Sequence, residues 1–218
     1  MLFHNIFKGS TLLAVATVLS LSTSCIDIND NLNPDEASED MMKADNLKAG
    51  SFFRQMERSI APFHNVDGNV STGDYEITQA FNYDALGGYV ACLHTNAEWN
   101  SLYAFREQAR KALFDAAFVR VMAPWNEIHK LAEADNLVAL DALASIVKVA
   151  GMHRAADTFG SIAYVNYCAS GNYDKLEDIY HKFFDELDDA ISVLGATVAT
   201  GNTTMLEEYD IIYGGDLN

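Results

Sequence analysis

From Leu176 to Leu194 the apolar residues fall at every third or fourth position: Leu176, Ile179/Tyr180, Phe183/Phe184, Leu187, Ala190/Ile191 and Leu194. This is the period of a helix with one buried stripe. A strand cannot use it, because successive strand side chains alternate between faces. The same spacing occurs at Leu47, Phe52/Phe53, Met56 and Ile60, in a helix expected from Met42 and stopped by Pro62. It occurs again over Trp99–Ala123, with Leu102, Phe105, Ala109, Leu113, Ala116 and Val119 or Ala123 on one stripe. No segment alternates convincingly, so the chain is expected to be all-α.

Finer signals set the expected boundaries. Pro124 suits the first turn of a new, short helix carrying Trp125, Ile128 and Leu131, with Trp125 in the core. Asp135 is expected to cap the next helix, which runs to about Thr158. That helix is apolar nearly all round and so belongs in the middle of the fold. Its apolar part, Leu137–Ala150, is too short to cross a membrane and carries Asp141 and Lys148. For the last helix, Asp174 and Glu177 suit the positive end of the dipole, and Gly195 is expected to end it. Asp185, Glu186, Asp188 and Asp189 form its solvated side. Helix pairs with short joints resemble tetratricopeptide-like units, which bury their faces by stacking.

The N-terminus is of another kind. Lys8 precedes an apolar run, Leu12–Leu21, followed by three small residues and Cys25. A short apolar run ending in small residues is a secretory signal rather than a membrane span. A cysteine at the cleavage point resembles a bacterial lipoprotein junction, in which the thiol is acylated and becomes the new N-terminus. Residues 1–24 are therefore expected to be a signal peptide, 25–41 an acidic flexible tether with Pro34, and 42–218 the helical body. Asp27-x-Asn29-x-Asn31 is not a calcium loop, because Leu32 and Ser38 stand where Gly and Glu are required.

Half of the residues are apolar and 11% are aromatic, enough for a packed core. Losing residues 1–24 removes one basic side chain, Lys8, and takes the formal charge from −17 to −18. Such acidity excludes nucleic acid, whose affinity rests on Lys and Arg neutralising phosphates. It also excludes an anionic membrane held through a basic face, and leaves the lipid as the attachment. The remaining cysteines, Cys92 and Cys168, either pair after export or stay as buried thiols. Neither belongs to a CxxC motif.

Catalytic patterns are weak. Neighbouring acids such as Asp188-Asp189 and Glu207-Glu208 point to different faces. His153 and Asp157 share a helix face, but zinc needs three or four ligands, so a His–carboxylate contact is expected instead of a metal site. No nucleophile elbow, phosphate loop or dinucleotide fingerprint occurs, and no cofactor is expected.

Several segments, in order, resemble the SusD/RagB-like outer-membrane nutrient-binding lipoproteins. Asp157, Phe159, Gly160, Ile162 and Tyr164 match that family's T-D-x-Y/F-G-D-I-P-Y element, with Ser161 and Ala163 departing from it. Tyr180–Leu194 is similar to its I/VY-x-x-I/F-x-x-DLDxAIxxL helix, and Tyr209–Asp216 to its D-x-I-Y-x-G-D element. Asn46–Gly50 and the region of Trp125 also fit.

The resemblance implies binding, not catalysis. It implies a lipid-anchored, cell-surface protein of the outer membrane that holds oligosaccharides, or in some members peptides, and passes them to a TonB-dependent, SusC-like transporter. The family's ligands rest on aromatic rings and polar side chains in loops. Here residues 63–97 form a long loop rich in Gly and aromatic residues. The ligand-binding candidates, in and just after this loop, are Asn82, Tyr83, Tyr89, Trp99 and Asn100. Family members are more than twice as long, so the resemblance implies an incomplete domain. A helical-repeat scaffold without a small ligand and a surface glycoside hydrolase are the alternatives. The hydrolase would need two carboxylates about 5–10 Å apart across a cleft.

Overall fold

The computed structural model describes residues 47–60, 79, 83–91, 107–167 and 172–218, all in the compact unit Lys43–Asn218. Cys25, Pro62, Cys92 and Cys168 lie outside them. Five α-helices are described: α1 (Leu47–Ile60), α2 (Glu107–Phe114), α3 (Ala123–Asp135), α4 (Val138–Phe159) and α5 (Leu176–Ala199). A π-helical stretch, Asp115–Met122, joins α2 to α3. Among the described residues there is no strand, only two isolated bridges, Ile162 with Asp174 and Thr204 with Asp216. The all-α expectation holds.

Helix α4 is the centre. It packs against α1, the π-helical stretch, α3 and, most extensively, α5. Its composition explains this position: Leu140, Ala144, Val147, Val149, Met152 and Ala156 are buried over more than half of its circumference. The small residues let neighbours approach closely. At Gly151 an added Cβ would lie 2.8 Å from both methyls of Val121, so the π-helical stretch is seated directly on α4. From α1, Ala49, Phe53 and Met56 join the same core.

Several expected boundaries move. Pro124 stands in the first turn of α3, as expected, but α3 follows the π-helical stretch without a break, so the chain is helical from Glu107 to Asp135. The wider register accommodates the proline. In an α-helix its ring would strike the carbonyl four residues back, and it has no N–H to give. The preceding π register pairs the Ala123 N–H with the Phe118 carbonyl, five residues back. Asp135 ends α3 instead of capping α4. Asn136 takes the left-handed conformation at φ 55°, as Asn does more readily than most residues, and closes α3 onto the Ala132 carbonyl. Gly195 does not end α5. The helix runs on to Ala199 and stops where Gly201 takes φ 94°.

Asp174 precedes α5 by two residues and serves the turn before it. Its carboxylate accepts the backbone N–H groups of Tyr164 (2.8 Å), Val165 (2.7 Å) and Asn166 (3.2 Å). Burial alone would raise its pKa, but these donors outweigh it and hold the group below its usual range. The SusD-like sequence element ending at Tyr164 is thereby pinned to the start of α5.

Candidate functional site

The aromatic loop is braced on α4 by Arg154. Its guanidinium donates to the Ile60 carbonyl (2.9 Å) and to the Gln79 side chain, and lies 5.0 Å over the Tyr83 ring. The Tyr83 hydroxyl donates to the Arg154 carbonyl at 2.9 Å and is 2.7 Å from the Thr158 hydroxyl. Gln79 donates in turn to Asp84 at 2.9 Å. Tyr83 is therefore half-buried, with both its ring and its hydroxyl engaged by the protein.

The chain then turns tightly. Gly87 N–H bonds the Tyr83 carbonyl (2.8 Å) and Tyr89 N–H bonds that of Asp84 (2.9 Å). Gly87 is needed there, because a Cβ would sit 2.9 Å from the Tyr83 oxygen and 3.1 Å from the Tyr89 ring. The turn presents Tyr89 at 86% exposure. Tyr83 and Tyr89 thus share one turn but differ in role: one fastens it and the other faces solvent. Asn82, Trp99 and Asn100 lie outside the described residues.

Two buried polar clusters were not singled out as sites from sequence. In the first, Lys148 is 2% exposed, with its ammonium 3.7 Å over the Trp125 ring and 4.8 Å from that of Tyr164. It donates to Glu186 at 2.9 Å, and the Tyr164 hydroxyl donates to the other oxygen of the same carboxylate. Burial pulls the Lys148 pKa down and Glu186 pulls it back up. Burial, then the Glu186 charge, pushes the Tyr164 phenol well above its usual value, so it stays a donor. Glu186 is therefore not part of a solvated acidic face. A lysine on a helix apolar all round was the available signal. Trp125 packs against the core as expected, stacked on His129 with centroids 5.0 Å apart.

In the second cluster, Glu57 is 3% exposed and Asp210 is 8% exposed. Their carboxyls are hydrogen-bonded to each other. Asp210 also accepts from the N–H groups of Ile212 (2.9 Å), Tyr213 (2.8 Å) and Gly215 (3.0 Å), and Glu57 from that of Ile211 (2.9 Å). Burial, opposed by the Ile211 N–H and reinforced by Asp210, raises the Glu57 pKa from 4.5 to about 8. For Asp210, burial is outweighed by its donors, and its pKa is lowered. The arrangement is a carboxylic acid donating to a carboxylate, tying the C-terminal loop to α1 beside an apolar cavity of about 390 Å³.

The expected contact between His153 and Asp157 does not form. The His153 ring meets the Val149 carbonyl at 3.3 Å, one turn back, and Asp157 accepts the Tyr180 hydroxyl from α5. Among the described residues no three His, Cys, Asp or Glu side chains gather to hold a metal. Nor is any described helix long and apolar enough to cross a membrane.

The family described as SusD-like, Susd and RagB outer membrane lipoprotein, matches residues 27–218. No curated protein matches the chain. Among solved structures, a chitin-binding SusD homologue from Flavobacterium johnsoniae is 27% identical, with a TM-score of 0.67 over 78% of this chain and 35% of its own. A SusD homologue from Bacteroides vulgatus is 22% identical, with a TM-score of 0.69 over 80% of this chain and 36% of its own. One from Bacteroides thetaiotaomicron is 24% identical, with a TM-score of 0.65 over 78% and 33%. The last two show likeness of fold. The chain spans about a third of the length of each.

Proposed function

The chain belongs to the SusD/RagB family of outer-membrane lipoproteins, and on that premise we propose that it binds nutrient oligosaccharides at the cell surface and passes them to a TonB-dependent outer-membrane transporter. The observation that carries this reading is Tyr89. Tyr89, 86% exposed on a turn fixed to α4 through Tyr83 and Arg154, is a pre-organised platform. The C–H face of a sugar stacks on such a ring without first ordering it. Asn82, Trp99 and Asn100, close to Tyr89 in the sequence, are the further candidates for this binding. Cys25 carries the lipid, and residues 25–41 tether the body to the membrane.

Phe184 and Ile191 support a protein partner. They are 60% and 66% exposed and seven residues apart, so they share one face of α5. The buried acid pair does not have the geometry of a glycoside hydrolase pair. Glu57 and Asp210 touch each other, whereas hydrolysis needs carboxyls separated across a cleft.

The similarity to a chitin-binding homologue makes chitin oligosaccharides the first ligands to try, beside glucan and mannan oligomers. Calorimetric titration of the chain with each, and of Tyr89→Ala, tests the proposal. Binding weakened about tenfold or more in the variant is expected, since one stacked ring contributes on the order of 1 kcal/mol beyond its buried area. Binding to no oligosaccharide, or release of cleaved products, overturns it.

A further inference from the structure

A second surface, lined by none of residues 83–91, has the chemistry of a sugar site. An open groove of about 300 Å³ runs between α1, the start of α3 and the turn after α4. Phe52 and Tyr167 give it two aromatic rings, while Gln55, Asn126 and Glu127 give it polar rims. Phe52 and Gln55 are three residues apart on α1, and Asn126 and Glu127 lie near the start of α3. Both pairs are on rigid helices.

Three observations narrow what the groove takes. The amides of Gln55 and Asn126 make no side-chain hydrogen bond among the described residues, although Asn126 is half-buried. Each offers a donor and an acceptor side by side, which suits vicinal hydroxyls. Glu127 is neutralised by Lys130 at 2.7 Å, so the groove presents little net charge and favours an uncharged polar ligand. Its volume stands at the low end of small-ligand sites, roughly 300–1,000 Å³. That suits one pyranose ring, with the rest of a chain leaving through the open side.

The groove also borders the least regular backbone of the helical run. Val119, 57% exposed, comes from the π-helical stretch, and Pro124 follows its end. A π register has a wider, less well packed coil than an α-helix and is concentrated at functional sites. Here it places an apolar wall opposite α1.

We propose that this groove is a second carbohydrate subsite, holding one neutral pyranose unit of a glycan between the Phe52 and Tyr167 rings, with Gln55, Asn126 and Glu127 bonding its hydroxyls. The proposal rests on the oligosaccharide-binding reading and adds a place and a residue set to it. Amide chemical shifts of the isotope-labelled chain, followed during titration with chitin, glucan and mannan tetrasaccharides, test it. Shifts at residues 52–55, 123–127 and 167 are expected for at least one glycan, and Gln55→Ala/Asn126→Ala is expected to weaken that response at least tenfold. The double variant's melting midpoint, unchanged, shows that its fold is intact. Shifts confined to residues 83–91, or a response at the groove that the folded double variant retains, overturn the groove and leave the broader reading standing. No shift anywhere with any glycan overturns both.

Discussion

Replacing Glu57 by Gln isolates the proton that the buried acid pair holds. Glu57 has a pKa of about 8 in the folded chain, against 4.5 for a free carboxyl. The folded state therefore binds one more proton than the unfolded state between those values. Stability from this group is fully present below pH 4.5 and is lost as pH rises toward about 8. The slope approaches about 1.4 kcal/mol per pH unit, so the window holds at most about 5 kcal/mol. Asp210, whose folded pKa is lowered, acts in the opposite sense and only in the acid range. Gln keeps an oxygen for the Ile211 N–H and an N–H for Asp210 but cannot ionise. Urea midpoints of both proteins at pH 4.5, 6, 7 and 8.5 give the comparison, with the slope of each transition checked for constancy. Near-equal stability at pH 4.5 and a growing advantage for Glu57→Gln, on the order of 3 kcal/mol by neutral pH, is expected. Parallel pH profiles for the two proteins refute the shared proton.

Lys148→Met removes the buried partner of the Glu186 carboxylate and leaves it with the Tyr164 hydroxyl and the half-exposed Lys182 ammonium at 3.7 Å. A loss of roughly 3–5 kcal/mol in denaturant unfolding is expected, most of it recovered by adding Glu186→Leu. Gly215→Ala places a Cβ 2.6 Å from the Met205 carbonyl and 2.7 Å from the Glu207 Cα at φ 81°, whereas Gly214→Ala at φ 62° meets only open space. Thermal unfolding should show the second losing about 1–2 kcal/mol and the first distinctly more. Tyr89→Ala should leave the unfolding free energy within about 0.5 kcal/mol of the parent in denaturant titration, because the residue is exposed.

Much of the fold was legible because it follows a helical period. The stripes on α1 and α5 and the all-round apolarity of α4 are local patterns that neighbours only reinforced. Terminators were less legible, since Gly195 and Asp135 are common stop and start signals that were overridden. Gly195 remains helical because packing of α5 on α4 continues beside it, and Leu194 and Ala190 are buried there. Asp135 is the last residue of α3, and its expected place before α4 is taken by Leu137, after the left-handed Asn136. The candidate site was legible as a composition, a loop rich in glycine and aromatics, but not as roles. Nothing local separates Tyr83 from Tyr89. What separates them is Arg154, 71 residues further along the chain from Tyr83.

The sequence alone determined the class of fold, the acidic character and the family to which the chain belongs, because these depend on residue types and their spacing. Tertiary structure decided which charged groups are not surface groups. Glu57, Lys148 and Glu186 each sit in helices whose pattern permits either face. Only the approach of the C-terminal loop to α1, and of α5 to α4, removes them from water and gives them partners. Desolvation and hydrogen bonding are properties of that proximity, so the proton held between Glu57 and Asp210 has no counterpart in the unfolded chain.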